Sequence, residues 1–243
     1  MMVPKILTVG VPLVLLPILA TCAGPDANEA PAGVPAFQAD ANWPVLPADF
    51  EWGQVLGIAT DSRGHVWTSS RSEIAEWGPR GNLVQSWNAA GPDRSWQVIH
   101  GLFVDHNNFV WTNARESNLT LKFTREGEHV LTIGRLDETG GSNDPTLMGR
   151  PAEIWVDPGD NEVFVADGYG NRRVIVFDGE TGQYLRHWGA YGERPDDEYQ
   201  PNLASQEPSR QLRTPHGITG SRDGHIYVAD RSNNRVQVFR QNG

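Results

Sequence analysis

Apolar residues alternate with their neighbours at Val163 and Val165, at Val174 and Val176, at Ile226 and Val228, and at Val236 and Val238. A period of two puts each pair on one face of an extended strand. The runs are separated by Asp61-Ser62-Arg63-Gly64, by Asp178-Gly179-Glu180-Thr181-Gly182 and by Arg222-Asp223-Gly224. Such Asp/Gly clusters close tight reversals between neighbouring strands. No long segment after position 40 keeps apolar residues at helical spacing without Gly, Pro or Asn breaking it. The pattern predicts an all-β chain of short antiparallel meanders.

The meanders repeat. Val165-Ala166-Asp167-Gly168-Tyr169-Gly170-Asn171-Arg172-Arg173-Val174-Ile175-Val176-Phe177 nearly recurs as Val228-Ala229-Asp230-Arg231-Ser232-Asn233-Asn234-Arg235-Val236-Gln237-Val238-Phe239. A header precedes each copy, Pro151-Ala152-Glu153-Ile154 and Pro215-His216-Gly217-Ile218, and weaker copies open at Gly57-Ile58 and at His100-Gly101-Leu102. Four units therefore start at Gly57, Gly101, Glu153 and Gly217, spaced by 44, 52 and 64 residues. That period suits propeller blades of about 40–45 residues with loop insertions in the later ones. Blades pack radially because no single small sheet can bury both of its faces, and the alternating valines and isoleucines are expected to fill the gaps between them. The last unit reaches only the turn after Phe239. The expectation is a four-bladed piece of a longer, six-bladed ring, with a self-contained four-bladed protein as the alternative.

Composition narrows the picture. The chain has 243 residues with 26 Gly, 17 Pro and 9 Trp, as turn-rich β proteins do. A net charge of −10 argues against general affinity for nucleic acid or anionic membrane, which require a basic face. Lys5 and the apolar run from Ile6 to Ala20 read as a secretory signal, placing the protein outside the cytoplasm as a secreted or periplasmic chain. Cys22 is the only cysteine and follows Leu19-Ala20-Thr21, so two readings stand open: lipidation at Cys22 with anchoring to a membrane, or ordinary cleavage near Ala23. The organisation expected is residues 1–22 as signal or lipobox, 23–45 as flexible linker and 46–243 as propeller. Asn118-Leu119-Thr120 is a glycosylation sequon only in a host that glycosylates.

The chain contains no phosphate loop, no His-Glu-x-x-His, no Gly-x-Ser-x-Gly and no EF-hand spacing. What remains is polar residues at repeat-equivalent places. His100 and His216 each precede a header glycine, in the second and fourth units, where the innermost strand of a blade lines the channel. Two imidazoles from different blades can converge on one metal such as zinc. His65, His106, His129, His187 and His225 fall in turns or outer strands and read as solvent-facing.

The set Ile99-His100-Gly101-Leu102, Val165-Ala166-Asp167-Gly168-Tyr169-Gly170-Asn171, Pro215-His216-Gly217-Ile218 and Val228-Ala229-Asp230-Arg231 resembles NHL-repeat propellers of the peptidylamidoglycolate lyase type, from about residue 55 onward. The resemblance implies a metal-dependent lyase that splits a peptidyl-α-hydroxyglycine into peptide amide and glyoxylate. It implies zinc on His100 and His216 and calcium facing the carbonyls of Ile58 and Leu102, with the third zinc histidine and the calcium-binding Asp in a blade beyond Gly243. It implies Tyr169 as the base, which requires nearby cations, and Arg231 and Arg71 as active-site arginines suited to the substrate carboxylate. The chain departs from the family where His-Arg-Gly is replaced by Ser70-Arg71-Ser72, and where Thr112-Asn113-Ala114-Arg115-Glu116-Ser117 replaces an Asp-bearing strand end. The fold also serves binding roles, so the alternative is a secreted propeller that holds a protein, peptide or glycan over its channel without chemistry.

Overall fold

The computed structural model describes residues 35–51, 53–91, 95–96, 99–200, 202 and 207–243. The signal and lipidation readings at 1–22, and most of the linker reading, lie outside these residues. The chain divides into two units, Met1–Ala41 and Asn42–Gly243. Of the first, the described residues 35–41 form no strand and are exposed.

The second unit is all-β, apart from short 3-10 turns. Its first sheet comprises β1 (Val55–Thr60), β2 (Val66–Ser70), β3 (Glu73–Trp77) and β4 (Leu83–Asn88). The second comprises β5 (Ile99–Val104), β6 (Val110–Ala114), β7 (Leu119–Phe123) and β8 (His129–Ile133). The third comprises β9 (Glu153–Val156), β10 (Glu162–Asp167), β11 (Arg173–Asp178) and β12 (Tyr184–Trp188). The fourth has three strands, β13 (Pro215–Gly220), β14 (His225–Asp230) and β15 (Arg235–Arg240). All are antiparallel meanders in chain order, the blades of a propeller.

The core lies between blades. Trp67 and Ile74 of the first pack on Ile99, Leu102 and Leu121 of the second. Trp111 and Ile133 meet Ile154, Val163, Val165 and Phe177 of the third, whose other face sets Phe164, Val174 and Val176 against Ile218, Ile226 and Val228 of the fourth. Each valine or isoleucine so covered contributes about 1.5–3 kcal/mol. Val236 and Val238, expected to fill such a gap, are instead 62% and 52% exposed. They occupy the places of Val174 and Val176, but on the face of the fourth blade that points away from the third.

Two features position the loops at one end of the channel. A β-bulge interrupts the pairing of the innermost strand beside His100 and at His216, re-aiming the local side chains. In addition, Asp167 accepts bonds from the Gly149 N–H at 2.8 Å, the Asn171 side chain at 2.7 Å and Arg173 Nε at 2.9 Å, closing the loop that carries Tyr169. Asp230, Asn233 and Arg235 repeat this lock beneath Arg231. The recurrent Ala-Asp and Asn-Arg residues therefore work as loop fasteners.

Candidate functional site

His100 stands on β5, His216 on β13, and Tyr169 two residues past the end of β10. Gly168 makes the last placement possible, because a Cβ there would lie 1.8 Å from the carbonyl oxygen of Pro215. Tyr169 Oη lies 2.9 Å from His216 Nε2 and 3.3 Å from His100 Nε2. The imidazole rings are 5.0 Å apart between centroids. Arg231 Nη1 reaches the same phenol oxygen at 3.3 Å. Four residues from three blades thus meet at one point.

His100 Nδ1 lies 2.8 Å from the carbonyl oxygen of Ala152, which fixes Nδ1 as the protonated nitrogen and leaves Nε2 with its lone pair facing Tyr169. Burial, reinforced by Arg115 and Arg231, holds the His100 pKa below the ordinary imidazole value. Burial, then the neighbouring His100 and the two arginines, lowers His216 to about 4. Both rings are therefore neutral near pH 7, the form that binds a metal.

Beside them opens a cavity of about 590 Å³, lined by Leu56, Arg71, Trp96, His100, Arg115 and Tyr169 among others. Arg71 thus shares the cavity with Tyr169. Arg115, Glu116 and Arg150, to which the sequence reading gave no role, complete the setting beside Arg231. The Arg115 guanidinium carbon lies 4.7 Å from the centre of the Tyr169 ring, that of Arg150 5.8 Å and that of Arg231 5.1 Å. Glu116 binds Arg115 at 2.7 Å and Arg150 at 2.6 Å, and these pairings keep its carboxyl below the usual range. A signal for Arg115 was present in the repeat. Arg71, Arg115, Gly168 and Arg231 each immediately follow the second strand of their blade.

Ile58 and Leu102 lie elsewhere, lining a cavity of about 410 Å³ with Glu153, Trp155 and Tyr227. Glu153 accepts bonds from the backbone N–H groups of Leu102 at 3.2 Å and Ile154 at 3.1 Å. Desolvation nonetheless pushes its carboxyl up to about 7. Glu153 is thus the carboxylate that stands beside the two residues expected to face calcium.

Asp61, His65 and Glu76 form another group whose potential ligand atoms all lie within 4.8 Å of one another. The guanidinium of Arg125, from the second blade, is inserted there, bonding Asp61 at 2.9 Å and also pairing with Glu76. The cluster is an ion-paired clasp between blades, with the cation's place taken by arginine. His65 is accordingly bonded to Glu76 rather than facing solvent as expected. His187 is likewise half-buried, between Tyr184 at 2.9 Å and Asn143 at 3.4 Å. His106 and His129 are exposed, and His225 opens the second strand of its blade rather than an outer one.

Repeated antiparallel meanders, with a cluster of histidines, tyrosine and arginine at one end and Asp-Asn-Arg loop locks, define a β-propeller with a candidate site. The family model for the NHL repeat matches residues 212–239. Peptidyl-glycine alpha-amidating monooxygenase B of Xenopus laevis is 36% identical over 111 residues, 45% of this chain but 11% of that protein. NHL repeat-containing protein 3 of Homo sapiens is 27% identical over 211 residues, 84% of this chain and 56% of that protein. The chain thus spans only part of the curated relatives it matches. A crystal structure of a Bacteroides thetaiotaomicron protein of unknown function shares the fold, with a TM-score of 0.56 and 14% identity over 77% of this chain and 47% of that one. The chain is an all-β propeller whose last blade matches the NHL repeat and part of whose length is similar to the amidating monooxygenases.

Proposed function

We propose that this protein is a lyase acting on peptides that end in α-hydroxyglycine, releasing the peptide amide and glyoxylate. The observation that carries this reading is the convergence of the Tyr169 hydroxyl with Nε2 of His100 and His216 and with Arg231. Two neutral imidazoles with Nε2 facing one point would supply two of the three protein ligands that zinc takes in a catalytic site. His100 and His216 would hold it, and zinc so bound acts as a Lewis acid toward a substrate oxygen.

The chain's own residues carry the proton chemistry. Tyr169 Oη takes the proton of the substrate hydroxyl, the O–H electron pair becomes the carbonyl of glyoxylate, and the C–N bond breaks with its pair going to nitrogen. The proton held on Tyr169 then returns to that nitrogen, giving the amide. Arg231 donates to Tyr169 Oη, and Arg115 and Arg150 stand over the ring, so positive charge surrounds the reacting oxygen. Arg71 and Arg231 offer planar donors to the glycine carboxylate.

Glyoxylate release from a synthetic peptidyl-α-hydroxyglycine tests the proposal. The wild-type chain is expected to turn over, to lose activity with a zinc chelator, and to fall by about 100-fold or more in Tyr169→Phe, the scale of a general base. An inactive wild type, or Tyr169→Phe with full activity, overturns it. The second reading, a binding propeller without chemistry, is favoured by Ala114 ending its strand where Asp167 and Asp230 end theirs in the third and fourth blades. It predicts a protein that purifies without zinc.

A further inference from the structure

We infer that the site is built for a substrate with two anionic groups, the second being an acidic side chain just before the terminal residue, and that Arg115 receives it. The inference rests on the proposed function only in assigning the first carboxylate to Arg71 and Arg231. Its independent support is the charge inventory. Arg71, Arg115, Arg150 and Arg231 gather about the cavity and the Tyr169 ring, and among the described residues Glu116 is the one carboxylate paired to any of them. Three positive charges are left over in a chain whose net charge is −10. Such local excess against the overall sign focuses anions into a cleft.

One terminal carboxylate uses one or two of these cations. Arg115 remains, held in place by two contacts to Glu116, Nε at 2.9 Å and Nη2 at 2.7 Å, while still lining the cavity. A guanidinium tethered in this way is pre-organised, so an incoming carboxylate meets a donor that loses little further freedom. Arg115 and Arg231 stand 4.7 and 5.1 Å from the centre of one ring, so both are within reach of a single short ligand. Those distances hold the two guanidinium carbons within about 10 Å of each other, a span that a terminal carboxylate and the side chain of the preceding residue can bridge at about 3.5 Å of chain per residue. Arg150 shares Glu116 and so steadies the carboxylate that holds Arg115.

The test is calorimetric titration of the full chain with acetyl-Tyr-Glu-Gly, acetyl-Tyr-Gln-Gly and acetyl-Tyr-Lys-Gly, none of which carries the reactive hydroxyl. The acidic peptide is expected to bind about tenfold or more tightly than the neutral one, as a charge-assisted hydrogen bond provides, and the lysine peptide least. The preference should disappear in Arg115→Gln, return in part in Arg115→Lys, and weaken as salt is raised. Equal affinities for the three peptides, or no binding of any, overturn the inference on wild-type protein alone, whether or not Arg115→Gln folds. Preference for the acidic peptide without glyoxylate release from its α-hydroxyglycine counterpart leaves this inference standing and removes the lyase reading.

Discussion

Single residues here do work that their neighbours make necessary. Arg173 is fully buried, its charge met by Asp167 and its other nitrogens by the carbonyls of Ser142, Asp144 and Leu147. Asp167→Ala strands that guanidinium, and urea denaturation should show a loss of about 3–5 kcal/mol. Asp230→Ala should cost less, because Arg235 keeps partial contact with water. Glu153 gives a pH signature. Its carboxyl is raised from 4.5 to about 7, so between those values the folded state binds more protons than the unfolded one, and stability falls as pH rises through that window. Glu153→Gln in chelator should therefore match the wild type below pH 4.5 and exceed it by roughly 2–3 kcal/mol at pH 8, allowing for partial hydration. His100 and His216 were legible as sequence because each precedes a header glycine, and Tyr169 through the family resemblance. Arg115 was not, because the segment from Thr112 to Ser117 breaks the Ala-Asp pattern, and a broken motif conceals that its next residue still occupies the repeat's loop position.

At the scale of strands and loops, conformation decides where those residues point. Gly101 adopts a φ of +65°, and a Cβ there would come within 2.6 Å of the Ala152 carbonyl oxygen. That oxygen also holds His100 Nδ1. Gly101→Ala should therefore displace the acceptor and release the imidazole, with zinc affinity reduced about tenfold or more, the usual effect of losing such a support. Competition titration with a zinc chelator measures the affinity, and the Nδ1 proton resonance of His100 reports the lost bond directly. The strands and their turns were legible from alternation and from the Asp/Gly clusters. The bulges were not, because one unpaired residue leaves the apolar pattern of a strand nearly intact.

Across the whole molecule, stability resides in contacts between blades, and equivalent residues have unequal worth. Val174→Ala should cost about 1–3 kcal/mol, since its side chain is sealed between two sheets, whereas Val236→Ala at 62% exposure should change stability by less than about 0.5 kcal/mol. Thermal melts of the pair decide this. The repeat predicted both valines as interior, and only the arrangement of sheets distinguishes them. The same repetition bears on how such a protein diversifies. Arginine, arginine, glycine and arginine occupy four seats around one opening, each at the start of a loop its own sheet supports. Three of these seats carry a side chain, so the charge and reach presented to a ligand are set blade by blade. The third is closed, because Pro215 leaves no room for any side chain at 168, and that blade sets its tyrosine one place further along.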